Sequence, residues 1–120
     1  MKLERADLTH IVVMVALAAL AVGTARAEPR GERRLELINM VRQDCGSCHG
    51  MTLKGGLGPA LVPATLADKP DISLVSTIMN GRPGTAMPGW SRFVSEPEAE
   101  WIVHRLKAGF PQVAQAGGAS

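Results

Sequence analysis

The chain has 120 residues, a formal charge of +2, 46% apolar residues, two cysteines and no tyrosine. This length accommodates one small domain and excludes two ordinary ones. Residues 28–120 carry ten Lys or Arg against nine Asp or Glu, a balance that argues against nucleic acid as a partner, because nucleic-acid binders favour strongly basic surfaces.

Residues 1–27 have the form of a signal peptide: Lys2 and Arg5 near the start, an apolar run from Ile11 to Val22, then Ala25-Arg26-Ala27 as a small-x-small cleavage site. The competing reading is an uncleaved anchor. The apolar run is only 12 residues, whereas a spanning helix needs about 20. The expectation is an exported domain that begins at Glu28, with no stable membrane association after cleavage.

From Gly31 to Gln43, Leu35, Ile38 and Val41 recur at three-residue steps among charged residues, which predicts a narrow amphipathic helix ending at the cysteines. The stretch GMTLKGGLGPALVP after His49 has neither helical nor strand period and is predicted as a loop. Ile72, Val75, Ile78 and Met79 predict a short helix over 71–79, stopped by Asn80-Gly81. GRPGTAMPGW follows as turning or extended backbone. Ser95-Glu96-Pro97-Glu98 forms a capping box that opens a last helix with Ala99, Ile102, Val103 and Leu106 on one face, ended by Gly109 and Pro111. Residues 111–120 are expected to be a disordered tail, and residues 28–110 the folded domain.

No run alternates with period two for long enough to make a strand, so the fold class is all-α, with about three helices and long loops. Four Phe and Trp are little apolar mass for so loop-rich a domain. Something besides side chains is expected to fill the core.

The only cysteines lie in QDCGSCHG, residues 43–50. A disulfide between Cys45 and Cys48 would close a loop with two residues inside it and constrain the unfolded chain very little. A zinc site needs four ligands, and Cys45, Cys48 and His49 leave one unassigned. A thioredoxin-like redox pair belongs near a βαβ unit. Cys-x-x-Cys-His is also the attachment signature of c-type haem, in which both thiols add to the haem vinyl groups and the adjacent histidine ligates the iron. A buried haem would also supply the missing core.

The opposite face of that iron needs a ligand. Met51 is tied to the same face as His49, Met40 lies inside the first helix, and Met79 sits on the apolar stripe of the second, where Met commonly fills core. Met87, 38 residues after His49 in a Gly/Pro loop, can reach across. His104 is its rival. Beside Arg105 on a charged helix, it is also explained as a solvated surface residue.

An amphipathic helix running into CGSCHG, then GLGPAL, IMNGRPGTAMPGW and SEPEAEWIVHRL, resembles the class I c-type cytochromes across the whole of residues 28–110. The resemblance implies a class I cytochrome c fold, three to four helices wrapped around one covalently attached haem c. It makes Cys45 and Cys48 the thioether residues, His49 the proximal ligand and Met87 the distal one. It also implies that the Pro59 carbonyl accepts the His49 Nδ1 proton, and that Arg82 and Trp90 contact the haem propionates. Core aromatic and solvated charge remain alternative readings of Trp90 and Arg82. One departure concerns the crossing of the first and last helices, where the family offers a Gly and an aromatic and this chain has Leu37 and Arg105, with Trp101 nearby.

RQDCGSCHGMTLKGGLGPAL with GRPGTAMPGW is similar, more narrowly, to the small periplasmic c55X cytochromes encoded with cytochrome cd1 nitrite reductase. That likeness implies a monomeric periplasmic electron carrier for denitrification, not an enzyme, with nitrite reductase as its redox partner. Its alternatives are a factor assisting d1 haem maturation, and a haem enzyme or sensor with a labile Met87. Gly46, Met51 and residues 84–88 are the expected docking face, with Arg42, Lys54 and Arg92 as rim charges.

Overall fold

The computed structural model describes residues 10–14 and 28–111. The signal peptide expected over 1–27 lies outside the described residues except for 10–14, as does the tail expected over 111–120 except for Pro111. Among the described residues there is no strand, and no helix is long and apolar enough to cross a membrane.

Three longer helices carry the fold: α1 over Gly31–Met40, α4 over Asp71–Asn80 and α5 over Glu96–Ala108. Between α1 and the histidine the chain does not stop at Gln43 as expected. It continues through a π-helical turn, Val41–Cys45, into one further turn, α2, over Gly46–His49. A π turn adds a residue to the ring closed by each hydrogen bond, and such turns concentrate at functional sites. Here it rotates the cysteine turn relative to the buried face of α1. The other one-turn helix, α3, over Pro63–Leu66, was not anticipated. Proline at its first position is preset for helix, but four residues show no period.

The core gathers Leu37 and Val41 from the first helical run, Leu66 from α3, Val75 from α4, and Ala99, Trp101, Ile102, Val103 and Leu106 from α5. The face expected for α5 is the one that is buried. The stripe expected on α1 is right at Val41 and, in part, at Ile38, which packs against the core, but Leu35 is 62% exposed; the fully buried pair is Leu37 and Val41. These two stand four apart on one helical face, while a strict three-residue step drifts around the axis. Ile72 is likewise 79% exposed at the start of α4, although Val75 is buried as expected. Leu37→Ala should cost about 2–5 kcal/mol, the usual range for a core leucine left as a cavity, read as a lower denaturant midpoint in the haem-loaded protein.

At the crossing of the terminal helices the aromatic comes from Trp101, which is buried with the Arg34 guanidinium 5.8 Å from its ring centre; Arg105 stays partly exposed. One turn earlier, Arg33 holds Glu98 through two bonds, Nε to Oε1 at 2.6 Å and Nη2 to Oε2 at 3.0 Å. The same guanidinium donates to the Phe93 carbonyl at 2.8 Å. Glu98 also accepts the Ser95 backbone N–H at 2.8 Å, which completes the capping box. One fork thus ties α1 to the start of α5 and to the chain leading into it.

Above all through its bond to Arg33, the Glu98 carboxyl is held down to about 2. Its folded-state value is depressed, so the stabilisation is complete above about pH 4.5 and is lost as pH falls toward 2. Allowing for solvent screening of a partly exposed pair, the loss should be about 1–2 kcal/mol. Acid titration of unfolding should show that slope in the native chain and a flatter one in Glu98→Gln.

The other end of α5 is tied to α4. Lys107 donates to Asp71 Oδ1 at 2.5 Å and to the Lys69 carbonyl at 2.6 Å, and this bond, chiefly, keeps the Asp71 carboxyl below its ordinary value. His104 lies 3.9 Å from Asp71 and is 72% exposed.

Candidate functional site

Cys45 closes the π turn, and Cys48 and His49 lie one turn further on. The two thiols are not joined to each other. Burial, reinforced by Asp44, pushes the Cys45 thiol up to about 11, so it is protonated at neutral pH; Cys48 is exposed.

His49 is oriented by the loop that follows it. Its Nδ1 donates to the Pro59 carbonyl at 2.6 Å, the contact expected from Pro59. That bond commits the proton to Nδ1 and leaves the lone pair on Nε2 for a metal. The loop folds back on itself to make this contact: Gly58 N–H donates to the Cys48 carbonyl at 2.8 Å and Gly55 N–H to the His49 carbonyl at 2.8 Å. A Cβ on Gly58 would stand 2.7 Å from the His49 Cε1, so only glycine lets the backbone cover the ring this closely.

Met87 sits half-buried in a second loop that hangs from the end of α4. Trp90 N–H donates to the Ile78 carbonyl at 2.8 Å and Ser91 N–H to the Met79 carbonyl at 3.3 Å, so the loop itself caps the last turn of the helix. Inside it, Arg82 N–H donates to the Met87 carbonyl at 3.1 Å. The Thr85 hydroxyl donates to the Arg82 carbonyl at 2.7 Å and accepts the Met87 N–H at 3.3 Å. Nothing in the sequence reading pointed to Thr85; its spacing two before Met87, typical of hydroxyl turns, was the available signal. The Arg82 side chain is exposed, and Trp90 packs partly buried against the core with its ring 5.7 Å from that of Phe93.

Two residues of the expected docking face are placed differently. Gly46 is buried beneath Met51, and the Arg42 guanidinium is half-buried, donating to the Pro111 carbonyl at 3.0 Å.

The donor set fits a covalently held haem: two unpaired thiols one helical turn apart, an imidazole with Nε2 left for a metal, and a thioether on a loop braced by its own hydrogen bonds. Among the described residues no three His, Cys, Asp or Glu side chains cluster as a metal site of their own.

Comparison with known proteins agrees. The family described as cytochrome C oxidase, cbb3-type, subunit III matches residues 37–104. Cytochrome c55X of Stutzerimonas stutzeri is 50% identical over 86 residues, 72% of this chain and 76% of that one. The solved structure of the c-type cytochrome NirC superposes with a TM-score of 0.66 at 50% identity, covering 68% of this chain and 96% of the other. The dihydro-heme d1 dehydrogenase of Pseudomonas aeruginosa is 33% identical over 76 residues, 63% of this chain but only 15% of that larger protein. The relatives matched along most of their length are thus named as cytochromes, a class of electron carriers, rather than as enzymes. The fold is all-α, the cofactor is one haem c attached through the Cys45 and Cys48 motif, and the chain belongs to the class I c-type cytochromes of the c55X kind.

Proposed function

We propose that this protein is a monomeric periplasmic one-electron carrier that donates to cytochrome cd1 nitrite reductase in denitrification. Cys45 and Cys48 are the thioether residues, His49 and Met87 the axial ligands, and Arg82 and Trp90 the propionate contacts. When bound, the haem supplies one reversible electron by cycling between ferric and ferrous iron. The observation that carries the reading is the His49–Pro59 bond at 2.6 Å: it fixes the imidazole with Nε2 left to ligate and would resist reorientation when the iron changed charge. With His49 and Met87 both holding the iron, the thioether would raise the reduction potential and would leave no site for substrate. The leader over residues 1–27 supports export.

Nitrite reductase as acceptor draws on the c55X likeness and on the kinship to a dehydrogenase of dihydro-haem d1. The test is to mix the reduced protein anaerobically with oxidised nitrite reductase. Electron transfer at about 10 per second or faster, a typical turnover rate, is expected; transfer a hundredfold slower would remove the reductase as partner. The same kinship favours a second reading, assistance in d1 haem maturation. Under that reading, deletion yields a reductase lacking d1 haem, and no substitute donor restores it.

A further inference from the structure

The loop after His49 carries one backbone anomaly. Leu53 has a φ of 59°, in the left-handed region, and among the described residues no other non-glycine residue has a positive φ. A bulky side chain is costly there, and glycine or asparagine is the usual occupant. Glycine is not scarce in this loop: positions 50, 55, 56 and 58 are all glycine. Leucine at position 53 therefore points to a requirement for its side chain.

Burial shows what the requirement is. From Gly50 to Val62, Leu53 is the only buried residue, 4% exposed and part of the core, while Met51, Thr52, Lys54 and Leu57 around it face solvent. The backbone of the same residue closes the loop on both sides. Leu53 N–H donates to the Gly50 carbonyl at 2.8 Å, and the Leu53 carbonyl accepts Leu61 N–H at 2.8 Å. Leu61 stands two residues beyond Pro59, whose carbonyl accepts the His49 Nδ1 proton. Pro59 cannot hold itself in place, because it is exposed and has no N–H to donate. Leu53 thus fixes the outgoing leg of the loop beside His49 and the returning leg just past the carbonyl that orients it.

We propose that Leu53 is a positioning residue for the proximal ligand: its side chain anchors the 50–61 loop in the core, and the left-handed turn it adopts aims its carbonyl at Leu61 N–H and so holds the Pro59 carbonyl against His49 Nδ1. The proposal rests on His49 being the axial ligand. A firm Nδ1–H bond makes the imidazole a stronger electron donor to the iron, which favours the ferric state. The anchor thereby acts on the reduction potential through His49.

Hydrogen exchange in the native, haem-loaded ferrous protein tests the coupling without any substitution. The His49 Nδ1 proton and the Leu61 amide should exchange through one local opening, with opening constants within about threefold of each other and the same response to denaturant. Substitutions then separate side chain from backbone. Leu53→Asn and Leu53→Gly suit the left-handed backbone but lack the apolar anchor, and Leu53→Ile keeps the apolar bulk but its β-branch opposes that backbone. Each should speed exchange of the Nδ1 proton about tenfold relative to the slowest α5 amides, the equivalent of one lost hydrogen bond. Each should also raise the ferrous-to-ferric ratio at a fixed ambient potential. Leu53→Met, which keeps an unbranched apolar chain, should match the native protein. Leu37→Ala, a core change outside the loop, should speed the Nδ1 proton and the α5 amides together and leave the ratio unchanged.

Native-like exchange and potential in Leu53→Gly would overturn the proposal, because the backbone alone would then suffice. So would Leu53 variants that behave as Leu37→Ala does, or a Leu61 amide that opens independently of the Nδ1 proton in the native protein. If the His49 ring protons of the ferrous protein lack the strong upfield shift that a haem ligand shows, the axial-ligand reading fails instead, and the Leu61 coupling still decides whether Leu53 holds the loop.

Discussion

Replacing Met87 by alanine is expected to abolish the weak absorption at the red end of the visible range that arises from sulfur-to-iron charge transfer, and to lower the reduction potential by about 0.1–0.2 V, a part of the ~0.8 V span that axial ligands control. The geometry makes the effect specific. The Arg82 to Met87 loop is closed by its own backbone bond and by the Thr85 hydroxyl, neither of which involves the Met87 side chain, so the fold should survive the substitution. His104 cannot substitute easily, because it sits on α5 beside Asp71 and faces solvent. Oxidised and reduced spectra with a redox titration of the variant check this. An unchanged band and potential would mean that another group holds the distal position.

Gly81→Ala should strain the Met87 loop directly. Gly81 follows α4 with φ of 70° and ψ of −167°, a region that essentially only glycine occupies and that costs other residues about 1–3 kcal/mol. Space is lacking as well. A Cβ there would stand 2.5 Å from the Met87 carbonyl oxygen and 2.7 Å from the Gly89 nitrogen. These are backbone atoms, and the Met87 carbonyl is already bonded to Arg82 N–H, so the loop must shift as a unit. We expect a total cost of about 2–4 kcal/mol, drawn from strain plus the lost bond, and release of Met87 at a lower temperature than global unfolding. Following the charge-transfer band and the far-ultraviolet dichroism together on heating would show it; coincident, unshifted transitions would contradict it.

Much of this protein was legible in local signals. Ser95 and Glu98 stand in the spacing of a capping box, and both of its bonds form. Ala99, Ile102, Val103 and Leu106 recur at helical period and all are buried. Local signals failed where register changes along the chain. The buried positions of the first helix are Leu37 and Val41, not Leu35, and along the π turn and just past it Arg42 reaches the Pro111 carbonyl and Gly46 is buried. A five-residue turn with one wider ring has no periodicity of its own. Long-range ties were equally invisible: Arg33 meets Glu98 and the Phe93 carbonyl across 65 and 60 positions.

By itself, then, the sequence determined the chemistry. Two thiols and an imidazole within five positions specify a c-type haem, and Gly/Pro loops between amphipathic helices leave room for it, because covalent attachment depends on spacing along one short segment. Only the tertiary structure decided the orientation and the surroundings. The Pro59 carbonyl directs His49, and the Met87 loop caps α4 and closes through Thr85. Each of these depends on segments far apart in the chain meeting in space, and no local pattern encodes such a meeting.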